Sequence, residues 1–172
     1  DRILVLDGSW GVMIQRRGLD EADFRGDRFV AANGYDEKEQ MKGNNDILCI
    51  TRPDIVSDLH DQYYGAGADI SETNTFSGTV IAQDDYKLDA QAVWDINLEG
   101  AKIARAAADR WTEKEPHKPR FAAGSIGPLN MMLSMSSDVN DPGALLVTFD
   151  QVYDAYRHQV KALNEGGVDL YL

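Results

Sequence analysis

Apolar runs that end in polar or glycine-rich exits recur along this chain, and the segments between them carry a helical period. Residues 3–8 (Ile-Leu-Val-Leu-Asp-Gly) read as a buried strand that delivers Asp7 to a turn, with Gly8 permitting the bend. Residues 68–76 (Ala-Asp-Ile-Ser-Glu-Thr-Asn-Thr-Phe) and 120–128 (Arg-Phe-Ala-Ala-Gly-Ser-Ile-Gly-Pro) repeat the plan, and Val168 opens a fourth apolar run. Between them, Ile55, Leu59 and Tyr63 recur every four residues, behind a predicted helix start at residues 51–54 (Thr-Arg-Pro-Asp). Val93, Ile96, Gly100, Ile103, Ala107 and Trp111 fall three or four apart and predict a long helix over about 89–111. Phe149, Val152, Tyr156, Val160 and Leu163 predict a third helix face, opened by a capping box at 148–151 and stopped by Gly166 and Gly167. A shorter helix is expected from Trp10 to Arg17, with Gly18 as its stop.

The order β-α-β-α-β-α-β with helix-length crossovers implies parallel strands and right-handed connections. Four such strands make either an open doubly wound sheet or half of a (βα)8 barrel. No G-x-G-x-x-G follows a strand and no P-loop is present, so a nucleotide-binding sheet has no motif support. Both architectures place a site at the C-terminal ends of the strands. Asp7, residues 72–75 and residues 125–127 fall there. Residues 20–46 are polar and aperiodic and read as a surface excursion. Residues 129–147 read as a long structureless loop, of a kind that is often functional.

At 172 residues, 43% apolar and 27% charged, the chain is long enough for one soluble domain with a sizeable core. Its net charge of −12 argues against nucleic acid or an anionic membrane as partner. The single cysteine, Cys49, excludes an intrachain disulfide and a zinc site built from several cysteines of this chain. Its apolar neighbours make it a small buried hydrophobe. No apolar run approaches the ~20 residues that span a membrane, and no signal-peptide pattern opens the chain, so a cytoplasmic location is expected. The chain starts at Asp1 directly before a strand and stops at Leu172 within another, as a piece of a longer polypeptide would.

The residues alone carry the chemistry only part of the way. Asp7-Gly8 is a common turn pair. Residues 72–76 (Glu-Thr-Asn-Thr-Phe) say more, because hydrogen-bonding side chains at a strand exit are costly to bury unused. Met131, Met132, Leu133 and Met135 crowd one loop and are expected to pack on the rim. His60, His117 and His158 share no metal-ligand spacing and are expected in solvated or packing roles. No Ser/His/Asp or Cys/His constellation can be assembled. What remains is a polar site at the top of a parallel βα structure.

The wording of several segments is more specific than their pattern. Residues 3–15, 21–26 (Glu-Ala-Asp-Phe-Arg-Gly), 42–46 (Lys-Gly-Asn-Asn-Asp), 51–54, 67–76, 127–130 (Gly-Pro-Leu-Asn), 133–142 (Leu-Ser-Met-Ser-Ser-Asp-Val-Asn-Asp-Pro) and 147–151 together resemble the N-terminal homocysteine-binding module of cobalamin-dependent methionine synthases. The resemblance implies a (βα)8 barrel of roughly twice this length. Residues 1–172 would be its N-terminal half, a single partial domain of about four strands. It implies methyl transfer from methylcobalamin to a homocysteine thiolate held by zinc, which stabilises thiolate over thiol. Folate- and cobalamin-binding modules of the same polypeptide would be its partners.

By the same resemblance, Asp7 would hold the homocysteine amino group, and Gly8 and Ser9 would bring backbone groups near the substrate. Glu72, Asn74, Thr75 and Ser125 would line the barrel mouth. The three zinc cysteines and a second amino-binding acid would lie beyond Leu172, so no metal or cofactor is expected on this chain alone, and no activity. Trp10 stands where the family usually has Met, immediately after the substrate turn. Ser9, Val12, Met131 and Met132 depart as well. Two other readings stay open: a cobalamin-independent relative using betaine or S-methylmethionine, and a non-catalytic half-barrel that self-associates through its open edges.

Overall fold

The structure, a computed structural model, describes residues 3–133, 136–138 and 141–172. In chain order its elements are α1 (Trp10–Gln15), α2 (Glu21–Arg25), α3 (Leu48–Thr51), α4 (Pro53–Gly65), β1 (Ile70–Glu72), α5 (Val80–Gln83), α6 (Ala90–Lys114), β2 (Phe121–Gly124), β3 (Ser136–Asp138), β4 (Asp141–Leu145), α7 (Phe149–Gly166) and β5 (Leu170–Tyr171).

β1, β2 and β5 form a parallel sheet in that order, with Ser71 opposite Ala122 and Ala123 opposite Leu170. The segment 3–7 lies along the free side of β1. It is held by one parallel bridge, Leu6 to Ile70, with the Asp7 amide donating to the Ile70 carbonyl at 3.0 Å and the Asp69 and Ile70 amides donating to the Val5 carbonyl at 2.7 Å and 3.1 Å. The first expected strand is thus an extended edge with a single bridge. Spatial order follows chain order with no switch point, which separates a barrel segment from a doubly wound sheet. α4, α6 and α7 are the crossovers, and the buried faces of α4 and α6 share one core with Phe24, Phe29, Met41, Ile47 and Leu48.

Several expectations change. Thr51 does not cap α4. It closes α3 by donating its hydroxyl to the Ile47 carbonyl at 3.3 Å. Pro53 disfavours helical backbone in the residue before it, so the break falls at Arg52 (φ −138°, ψ 58°). The excursion over residues 20–46 is not merely superficial, since it buries Phe24, Phe29 and Met41. One cation organises it: Arg25 donates to the carbonyls of Phe29 (2.7 Å), Asp36 (3.3 Å), Glu37 (3.1 Å) and Glu39.

The long loop holds an antiparallel ribbon of β3 and β4. Ser134, Met135, Val139 and Asn140, part of the stretch that carried the resemblance, lie outside the described residues. Met132 and Leu133 are exposed rather than packed on the rim. On α7 the buried face is Ala155, Gln159, Ala162, Leu163 and Gly166, while Phe149 is exposed. Small residues win that face because α6 approaches so closely that a Cβ on Gly166 would stand 2.3 Å from the Ala101 Cβ. No helix among the described residues is long and apolar enough to cross a membrane.

Candidate functional site

The polar strand exits foreseen from the pattern converge on one cleft of about 400 Å³ at the C-terminal end of the sheet. Gly8, Trp10, Asp46, Glu72, Asn74 and Ser125 are among the residues lining it. Asp7 does not itself line the cleft, but it is tied to two residues that do. Its Oδ2 accepts the indole N–H of Trp10 at 2.9 Å and the backbone N–H of Glu72 at 2.9 Å. A third donor, the Ser71 hydroxyl, reaches the same oxygen at 2.6 Å. Among the described residues, no hydrogen bond falls on the other carboxylate oxygen. Burial raises the Asp7 pKa above the usual carboxylate value, while the Ser71, Trp10 and Glu72 donors pull the other way.

Glu72 turns its carboxylate to the cleft wall, where Oε2 accepts the Ser125 hydroxyl at 2.8 Å. Behind it, the Thr73 and Thr75 hydroxyls lie 2.6 Å apart. The Ser125 amide donates to Thr73 Oγ1 at 2.9 Å, and Thr75 Oγ1 donates to the Ser125 carbonyl at 3.0 Å. These bonds lock the exits of β1 and β2 together. Asn74 donates to the Asn45 carbonyl at 2.7 Å and joins the strand exit to the opposite wall.

The expected site residues therefore separate by place. Gly8, Glu72, Asn74 and Ser125 face the cleft. Thr75 is buried in the lock beneath it, and Ser9 is exposed at the start of α1 with no capping hydrogen bond from its side chain.

One lining group went unforeseen, and one histidine expected in a packing or solvated role takes a more specific place. Asp46 lines the cleft at 5% exposure, and burial pushes its pKa up to about 7. Its Oδ2 accepts the Ser77 amide at 2.8 Å and a longer contact from Gln83 Nε2 at 3.4 Å. Asn44 and Gln83 pair side chain to side chain beside it, with Asn44 Nδ2 donating to Gln83 Oε1 at 2.6 Å. The polar triplet at 44–46, set directly before the apolar run at 47–50, was the available signal. His60 is that histidine. It is fully buried, with Nδ1 2.7 Å from Ser71 Oγ.

A sequence profile described as homocysteine S-methyltransferase matches residues 4–172. The chain belongs to the homocysteine S-methyltransferase family. Among solved structures it is similar to the homocysteine methyltransferase MmuM from Escherichia coli. The metallated form matches at TM-score 0.68 and 21% identity, over 98% of this chain and 52% of that one. The oxidized form matches at TM-score 0.67 and 22% identity, over 98% and 51%, and the apo form at 0.61 and 22%, over 98% and 48%. The chain thus spans about half the length of the solved relatives it matches. At this identity the likeness carries the fold alone.

One of those relatives is described as metallated, so the donor set of this homocysteine S-methyltransferase chain matters. Among the described residues no three or more His, Cys, Asp or Glu side chains cluster as metal ligands. Cys49 is buried, donates its thiol to the Asn74 carbonyl at 3.3 Å, and has its pKa raised by burial. A thiol held protonated is a poor ligand. These residues do not fit a metal.

Proposed function

We propose that the cleft binds the amino-acid end of homocysteine, as part of the homocysteine-binding barrel of a cytoplasmic, cobalamin-dependent methionine synthase. Residues 1–172 would supply the N-terminal portion of that barrel. One observation carries the reading: Asp7 has one oxygen loaded by three donors and the other without a hydrogen bond among the described residues. A carboxylate fixed in this way presents an oriented, ionised acceptor for an ammonium group, with little reorganisation on binding. Glu72, held by Ser125, adds a second negative group at the same wall. Asn74 and the turn at Gly8 complete a polar surface fitted to an α-amino acid.

In this reading the groups that activate sulfur and supply the methyl group, zinc and methylcobalamin, are held by other parts of the polypeptide. The chain alone binds homocysteine weakly and does not methylate it. Calorimetric titration of L-homocysteine into this chain and into Asp7→Asn tests the assignment. The substitution keeps the shape and removes the charge, and affinity should fall at least about ten-fold, the worth of a charge-assisted hydrogen bond. Equal affinities would remove Asp7 from the site. Methionine formation by these residues alone, with tightly bound zinc, would overturn the division of labour.

A further inference from the structure

The Asp7 carboxylate rests on a second hydrogen-bond link that reaches deep into the core. Ser71 Oγ stands 2.6 Å from Asp7 Oδ2 and 2.7 Å from His60 Nδ1. A serine hydroxyl has one proton to give. An ionised carboxylate can only accept, so that proton goes to Asp7, and Ser71 must accept from His60. His60 is therefore the neutral Nδ1–H tautomer, and its buried Nε2 has no hydrogen-bond partner among the described residues. Burial holds the imidazole neutral by lowering its pKa to about 3.

The ring is clamped by Trp10, edge-on at 4.6 Å between centroids, and lies against Tyr64 at 6.5 Å. An apolar side chain would fill the same space without orphaning a ring nitrogen, so stability alone gives no reason for histidine here. Trp10 enters the network twice, as a donor to Asp7 and as the wall against His60.

We infer that His60 and Ser71 are positioning residues, a buried imidazole–hydroxyl–carboxylate chain that fixes which oxygen of Asp7 faces the ligand. This rests on the assignment of Asp7 to homocysteine. With its own proton committed to Asp7 and one lone pair taken by the His60 N–H, the Ser71 hydroxyl is held on Asp7 Oδ2. Oδ2 stays saturated, which leaves Oδ1 as the oxygen without a hydrogen bond among the described residues. The groups facing Asp7 are Trp10 from α1, His60, Tyr63 and Tyr64 from α4, and Ser71 and Glu72 from β1. Glu72 is the acid among them, and its charge is common to every comparison below.

The test reads Asp7 directly, in the ligand-free chain. Carbon-detected NMR titration of the Asp7 carboxyl should place its midpoint about one pH unit higher in Ser71→Ala, because a charge-assisted donor is lost. Ser71→Thr keeps the hydroxyl and should restore it. His60→Leu should raise the midpoint by a smaller amount, and His60→Asn, whose amide N–H replaces Nδ1–H, should return it. Identical midpoints in all five proteins would overturn the inference. The wild-type chain supplies a check that needs no variant: nitrogen shifts of His60 should show the Nδ1–H tautomer at neutral pH, and the Nε2–H tautomer would overturn the chain of donors. If the midpoints move as expected while Asp7→Asn still binds homocysteine normally, the functional assignment falls and the hydrogen-bond chain stands.

Discussion

Two buried titratable side chains bracket the cleft with opposite consequences for stability. Asp46 has a folded-state pKa near 7 against an ordinary carboxylate value of 3.8, so the native state binds a proton that the unfolded chain has released. Stability from this group is therefore present at low pH and is lost as pH rises from about 4 to 7. His60 is the reverse case. Its pKa falls from 6.5 to about 3, so its contribution is intact above neutrality and is lost as pH falls through 6.5 toward 3. Between about pH 4 and 6.5 the two slopes oppose each other. Asp46→Asn removes one of them. Relative to wild type, the variant should gain on the order of 3–4 kcal/mol of stability between pH 4 and pH 8. Urea melts of both proteins across that range give the difference directly, and a constant difference would return Asp46 to an ordinary carboxylate. Neither pKa shift was legible in advance. Nothing in a lone Asp at the end of a polar stretch, or a His on an apolar helix face, says that its neighbours will exclude water. By contrast Asp7 was legible, because an apolar run aims it at a turn.

Elements were read well where period and cap agreed, and misread where packing overrode size. The box at Thr148 and Gln151 is present as expected, with each residue's side chain bonded to the other's backbone N–H. α6 and the exits of β1 and β2 also fall where periodicity put them, within a few residues. The segment 3–7 was expected as a buried strand and is instead an exposed edge with a single bridge, because apolar composition supplies neither a covering layer nor a ladder by itself. The β3–β4 ribbon was missed since residues 136–145 show no apolar alternation. The α7 face was misassigned in part: Leu163 is buried as expected, but its companions are Ala155, Gln159, Ala162 and Gly166 rather than the larger apolar residues. That correction has a measurable edge. A methyl at Gly166 would meet the Ala101 Cβ at 2.3 Å and the Leu98 carbonyl oxygen at 2.8 Å, both fixed by α6. Gly166→Ala should cost about 1–3 kcal/mol despite its higher helix propensity. A gain in denaturation midpoint instead would mean that the helices separate freely.

On the scale of the molecule, the sheet ends in two open edges whose apolar side chains face out. Ile3, Leu4, Val5 and Leu6 are exposed along one edge, and Tyr171 and Leu172 on the other. In a closed barrel such edges pair with further strands and disappear, and the solved relatives are about twice as long as the part this chain matches. Alone, the 172-residue chain sets two sheet edges beside exposed apolar side chains, which favours pairing with a second copy. The opposing force is charge: two copies at −12 each repel at low ionic strength, and salt screens that repulsion without weakening apolar contact. The 19.1 kDa chain should therefore associate, and associate more strongly as sodium chloride rises from about 20 mM to 500 mM, where the Debye length shrinks from roughly 20 Å to about 4 Å. Light scattering coupled to size exclusion reads this directly. A 19.1 kDa monomer at every concentration and salt would show that the open edges are protected within the chain itself. Dissociation by added salt would place charged rather than apolar groups in the contact.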